Sequence, residues 1–168
     1  MKQLILASAL LLIAAASAQA EQSKIGLNLT LEQMLGNFSE PTSTFVVGYE
    51  TEEACTTDKG QWIDEMCIFD AENTLVVSQQ EKQVILSMET IGSNAHICSF
   101  EGPAEKISET ELQSKVASDV WDGSDWVPGF CTVTASYSDT NTVQVSSAGC
   151  EMFCGARAQL YIDSAKRK

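Results

Sequence analysis

Apolar and polar positions alternate with a period of two along much of this chain, the signature of strands with one face buried. The clearest instance is Phe130–Tyr137, followed after Asp139-Thr140-Asn141 by Thr142–Val145. The two runs predict a hairpin in which Val133, Ala135 and Tyr137 share a face with Val143 and Val145, with Tyr137 opposite Val143. Thr74–Ser78 and Lys82–Met88 form a second hairpin around the polar Gln79-Gln80-Glu81. Phe45–Tyr49, Gln61–Phe69 and His96–Glu101 read as further strands, the last ending at the Gly102-Pro103 break. Glu105–Ser118 is ambiguous, with either a helical turn over Thr110–Ser114 or a strand over Lys115–Trp121, and Trp121–Gly129 reads as a turn-rich loop.

Two short segments carry helical signals instead. Thr30-Leu31-Glu32-Gln33 fits a capping box, in which the Thr hydroxyl and Gln amide satisfy free backbone N–H groups. Leu31, Met34, Leu35 and Phe38 would share one face of a helix ending near Gly36, with Pro41 beyond it. Thr51, the acids Glu52 and Glu53, then Lys59 and Gly60 predict a second helix of one to two turns. The sum is a mainly β fold: a small antiparallel sheet or barrel-like domain with one or two short helices, stapled by disulfides.

The N-terminus departs from this pattern. Lys2, the apolar stretch Leu4–Ala16 and Ala18-Gln19-Ala20 are ordered as a secretory signal, which predicts cleavage after Ala20. The stretch is shorter than the ~20 residues that span a bilayer. Glu21–Asn28 then reads as a leader into a single domain over residues 21–168. Losing one lysine and no acid takes the formal charge from −13 to −14. That balance argues against nucleic-acid binding, which needs Lys and Arg, and would steer the protein toward a cationic partner. The basic tail Ala165-Lys166-Arg167-Lys168 is expected to fray.

All six cysteines follow the signal. An even count in an exported chain reads as a disulfide framework rather than a zinc site, since no Cys-x-x-Cys occurs and His96 is the only histidine. Cys55–Cys67 would staple the second helix to the strand after it. Extending the Tyr137–Val143 register brings Cys131 opposite Gly149, and a bulge there would deliver Cys150 to it. That favours Cys131–Cys150 and Cys98–Cys154, while Cys150–Cys154 with Cys98–Cys131 stays open.

Candidate chemistry is sparse. His96, two residues from Cys98 in an alternating strand, reads as structural; oxidised cysteines are no nucleophiles; and phosphate-loop, His-Glu-x-x-His and Gly-x-Ser-x-Gly motifs are missing from the chain. No catalytic residue, metal or cofactor is assigned. The most suggestive segment is Trp121-Asp122-Gly123-Ser124-Asp125-Trp126, where two indoles flanking two carboxylates can anchor a protein or sugar, unless both indoles turn inward. Glu50, Glu52, Glu53, Asp58, Asp64, Glu65, Asp70 and Glu72 form an acidic region around the first disulfide, and Arg157 is expected to fork onto a carboxylate.

Cys98-Ser99-Phe100-Glu101-Gly102, Cys131 in a strand, and Cys150-Glu151-Met152-Phe153-Cys154-Gly155-Ala156-Arg157-Ala158 together resemble a group of small bacterial periplasmic proteins. In that group Cys-x3-Cys-Gly-x-Arg-Ala ends the domain, and some members are associated with lysozyme-inhibitor-like proteins. The resemblance spans about residues 98–160. The resemblance implies a periplasmic or secreted binding or inhibitor protein and carries over no inhibitory residue; with the charge of −14 and the cross-linked scaffold, the expected partner is cationic, such as a lysozyme-like wall hydrolase. An immunity protein against one toxin fits the same scaffold, and a glycan-acting envelope enzyme using Asp122 or Asp125 is the catalytic alternative. No nucleic acid and no membrane insertion are expected.

Overall fold

The structure is a computed structural model that describes residues 27–46, 48–154 and 158–168. The signal segment, the leader up to residue 26, Val47 and Arg157 lie outside the described residues.

Nine antiparallel strands run in chain order: β1 (Gly36–Val46), β2 (Gln61–Ile63), β3 (Met66–Gln80), β4 (Gln83–Ile91), β5 (Ile97–Lys106), β6 (Glu111–Trp121), β7 (Trp126–Asp139), β8 (Thr142–Ala148) and β9 (Ile162–Arg167). Neighbours follow the order β1-β9-β8-β7-β6-β5-β4-β3, and β1 pairs again with β3. Eight strands thus close a barrel, with β2 hooked to the outer end of β3.

Alternation puts Phe38, Leu75, Leu86, Phe100, Leu112, Val133, Val143, Val145 and Ile162 inside, all essentially free of water. Glu89, Glu101, Glu105, Gln144 and Lys166 project outward. This is the reverse of a lipid-facing barrel, whose outer band is apolar. No helix among the described residues is long and apolar enough to cross a membrane.

The two expected helices are present and short. In α1 (Leu31–Met34) the capping box closes in both directions: the Gln33 amide N–H donates to Thr30 Oγ1, and the Thr30 N–H donates to Gln33 Oε1 at 2.8 Å. Phe38 does not continue its face. It points into the barrel from β1, which begins at Gly36 and runs through Pro41, well before the strand expected at Phe45–Tyr49. In α2 (Glu52–Thr57), Thr51 caps the Ala54 N–H. The strand expected over Gln61–Phe69 is broken by a tight turn at Asp64 and Glu65, both at positive φ, which folds β2 onto β3.

Three further expectations are corrected. β5 does not break at Gly102-Pro103 but runs on to Lys106. Of the two readings open over Glu105–Ser118, the helical turn at Thr110–Ser114 is not formed, and the strand expected over Lys115–Trp121 is present but longer, running as β6 from Glu111 to Trp121. The basic tail is not frayed: it is β9, and Arg167 donates to the carbonyls of Thr140, Leu35 and Gln33 at 2.6–2.9 Å, its guanidinium lying over the Phe38 ring. A side chain that satisfies three carbonyls from two loops ties the closing strand to both its neighbours.

All three disulfides pair as favoured: Cys55–Cys67, Cys98–Cys154 and Cys131–Cys150. Tyr137 does sit opposite Val143, and the β7–β8 ladder ends at Thr132–Ala148. Gly149, at φ +68°, then turns the chain; a Cβ there would lie 2.5 Å from the Phe130 carbonyl oxygen, so any side chain would have to displace the turn that brings Cys150 to Cys131.

Candidate functional site: the aromatic ribbon

The β6–β7 hairpin is longer than the barrel wall it belongs to. β5 pairs with β6 only up to Ser114, and β8 pairs with β7 only down to Thr132. From Lys115 to Trp121 and from Trp126 to Cys131 the two strands pair with each other alone. They form a free-standing two-stranded ribbon, and the expected loop over Trp121–Gly129 shrinks to its four-residue tip, 122–125.

Alternation gives the ribbon two unlike faces. The inner one carries Val116, Val120, Val127 and Cys131, half-buried or buried. Val116 packs on the core, and Val120 closes on Gly129 and Gly149, where an added methyl would lie 2.7 and 2.8 Å from its side chain. Beneath this face runs Cys150–Cys154, bonded to β7 by one end and to β5 by the other. Its Phe153 ring meets Phe100 edge-on at 5.3 Å between centroids. Two disulfides therefore brace the ribbon's base from below.

The outer face is a ladder of cross-strand pairs: Trp121 with Trp126, Asp119 with Pro128, Ala117 with Phe130, and Lys115 with Thr132. Both indoles turn outward, 49% and 45% exposed, and meet edge-to-face at 5.7 Å. Phe130 is 52% exposed, and the Lys115 ammonium lies 4.3 Å above its ring. Three large exposed aromatics on one strip of a small domain make this face the candidate contact surface.

At the tip, one oxygen of Asp122 accepts the N–H groups of Ser124 and Asp125 and the Ser124 hydroxyl, at 2.8–2.9 Å. These donors hold its carboxyl below the usual Asp value. Asp125 accepts the Trp126 N–H at 2.8 Å. Each carboxylate shapes the turn through one oxygen. Among the described residues, no group of three His, Cys, Asp or Glu is placed to hold a metal ion.

The four residues singled out from sequence, Trp121, Asp122, Asp125 and Trp126, are thus brought together on one hairpin end. Phe130, Pro128 and Asp119 were missed. The signal for Phe130 was available, because it stands out of phase with the inward Val133, Ala135 and Tyr137. His96 lies elsewhere: it follows a 3-10 turn (Ser93–Ala95) and precedes β5, rather than alternating within a strand, and its carbonyl accepts the Gly92 N–H at 2.7 Å.

The acidic region forms a separate surface at the far end of β3. All eight of its carboxylates are exposed around Cys55–Cys67. Asp58 accepts the Tyr49 hydroxyl at 2.8 Å, which raises the Tyr49 phenol above its usual range.

No protein-family model matches this chain, and neither a curated protein nor a solved structure matches it significantly.

Proposed function

We propose that the chain is exported, loses residues 1–20, and works in the periplasm or outside the cell as a binding protein that neutralises a cationic partner, such as a lysozyme-like wall hydrolase. The observation that carries this reading is the outward Trp121–Trp126 pair at the end of a disulfide-braced ribbon. Indoles bury much area with few torsions to freeze, and a braced ribbon has already met most of its ordering cost before it docks.

Supporting it are the acidic surface, which raises encounter rates with a basic protein, and the Cys-x3-Cys-Gly-x-Arg-Ala resemblance to periplasmic, inhibitor-like proteins. Three disulfides with no free cysteine suit an oxidising compartment. On this reading the protein binds and does not catalyse: Asp122 and Asp125 build a turn.

Wall-lysis assays with lysozymes of several types test the reading. Stoichiometric inhibition by the mature protein of at least one, lost in Trp121→Ala/Trp126→Ala, is the expected result. Undiminished lysis in every case, with no complex on gel filtration, would sink it.

A further inference from the structure

We infer that the ribbon's outer face takes an arginine side chain of the partner, held between the Asp119 carboxylate and the Trp121 and Trp126 rings; the inference rests on the binding reading above and names the chemistry of its central contact.

In an antiparallel ladder, Asp119 has Pro128 directly opposite, Trp121 two residues along its own strand and Trp126 diagonally across. The result is one carboxylate set beside two indoles on an exposed, braced surface. Among the described residues Asp119 has no side-chain hydrogen bond and no ionic partner; the sole ion pair joins Lys168 to Glu72, far along the sheet. Its neighbours Asp122 and Asp125 are also exposed and add two carboxylates close to the indoles in the chain.

A cation bearing a flat or aliphatic stem is what such a surface accepts. The ring faces attract positive charge, and the carboxylate accepts its N–H donors. The face already holds one cation of its own: Lys115 sits over Phe130 two rungs below. The rungs above lack that internal occupant. Guanidinium fits better than ammonium, since its plane stacks on an indole while its fork meets the carboxylate, and it is less strongly hydrated.

The test uses the mature protein labelled with nitrogen-15, whose three tryptophans give three indole N–H signals, assigned by single Trp→Phe variants. An acetylated, amidated Gly-Arg-Gly-Arg-Gly peptide is titrated in, alongside its lysine and citrulline counterparts. Trp121 and Trp126 are expected to shift saturably with the arginine peptide while Trp62 stays still. The lysine peptide should bind several-fold more weakly and the citrulline peptide not measurably. Asp119→Asn should weaken the arginine peptide about five- to tenfold, whereas Glu105→Gln, on the barrel wall, should not.

Equal binding of arginine and lysine, equal losses in Asp119→Asn and Glu105→Gln, or no movement of Trp121 and Trp126 would each overturn the inference. Its failure is separable from that of the binding reading. A lysozyme bound through the indoles but indifferent to Asp119→Asn refutes the arginine contact alone, and an arginine peptide bound where no wall hydrolase is inhibited refutes the hydrolase alone.

Discussion

Two arms leave this barrel, and they handle the same problem in opposite ways. The outer halves of β1 and β3 pair from Glu40–Asn73 to Val46–Cys67, and the upper part of β6–β7 pairs from Lys115–Thr132 to Trp121–Trp126. A two-stranded ribbon alone is marginally stable in water. The first arm is therefore clothed. β2 adds a third strand, α2 is stapled on by Cys55–Cys67, the Tyr49 ring lies 5.8 Å from Phe69, and Thr44 bonds Gly92 and Ala95 across to the 3-10 turn. The second arm is braced only at its base and only on its inner face; its aromatics remain in water. The first arm leaves only the aliphatic Ile63 and Met66 exposed at its tip, whereas the second displays Trp121, Trp126 and Phe130 along one face, and that aromatic strip is what the proposed partner would meet. The clothed arm offers its charge to solvent instead.

The largest expected effect comes from undressing the first arm. Cys55→Ser/Cys67→Ser should cost about 3 kcal/mol locally, seen as rapid hydrogen exchange over 61–69 with the ribbon's exchange unchanged. Loss of protection over both arms would show that they are not independent. Next, Trp121→Ala/Trp126→Ala should weaken partner binding by about 2 kcal/mol or more, roughly thirtyfold. Its cost to stability should be no more than about 1 kcal/mol, the scale of one aromatic pair. If stability fell as much as binding, the pair would belong to the fold rather than to a site.

Gly60→Ala tests how tightly the first arm is packed. A Cβ there would sit 2.5 Å from the Cys67 sulfur and 2.7 Å from that of Cys55, so about 1–2 kcal/mol should be lost in chemical denaturation. The smallest effect is acid loosening of the ribbon tip. Because Asp122 has its carboxyl lowered by turn donors, its contribution is complete above the ordinary Asp value of 3.8 and disappears as pH falls through the depressed one. Amide shifts of Ser124 and Asp125 should follow that step, and Asp122→Asn should abolish it. The clothed arm has no equivalent turn and should not show it.

Much of the barrel was legible because its strands have one dry face. The Tyr137–Val143 register follows from alternation, and carrying it along the ladder leads to Cys131–Cys150, although the chain turns at Gly149 after the ladder has ended instead of bulging within it. Three of the misreadings share a cause in proline. The local pattern reads Pro41, Pro103 and Pro128 as stops or loop residues, yet each lies within a strand where one neighbouring ladder is missing. β9 pairs with β1 at Phe38 and Ser39 and not at Pro41; β6 joins β5 only from Ala104; β8 has left β7 before Pro128. At Pro103 the carbonyl accepts the Ser114 hydroxyl at 2.6 Å, so the nitrogen on the same side, which has no hydrogen to donate, faces the gap where no partner strand needs a donor. Proline here marks one-sided pairing. Which neighbour is missing depends on barrel closure, and local pattern does not contain it. The same limit hid part of the site: Asp119 and Pro128 share a face with the indoles only once β6 and β7 are known to run on together.

Barrel closure also sets an order of events. β9 fills the gap between β1 and β8, and Arg167 grips carbonyls from 33–35 and from Thr140, so the ring stays open until these last strand residues have been made. Until then the earlier strands lack a closed interior.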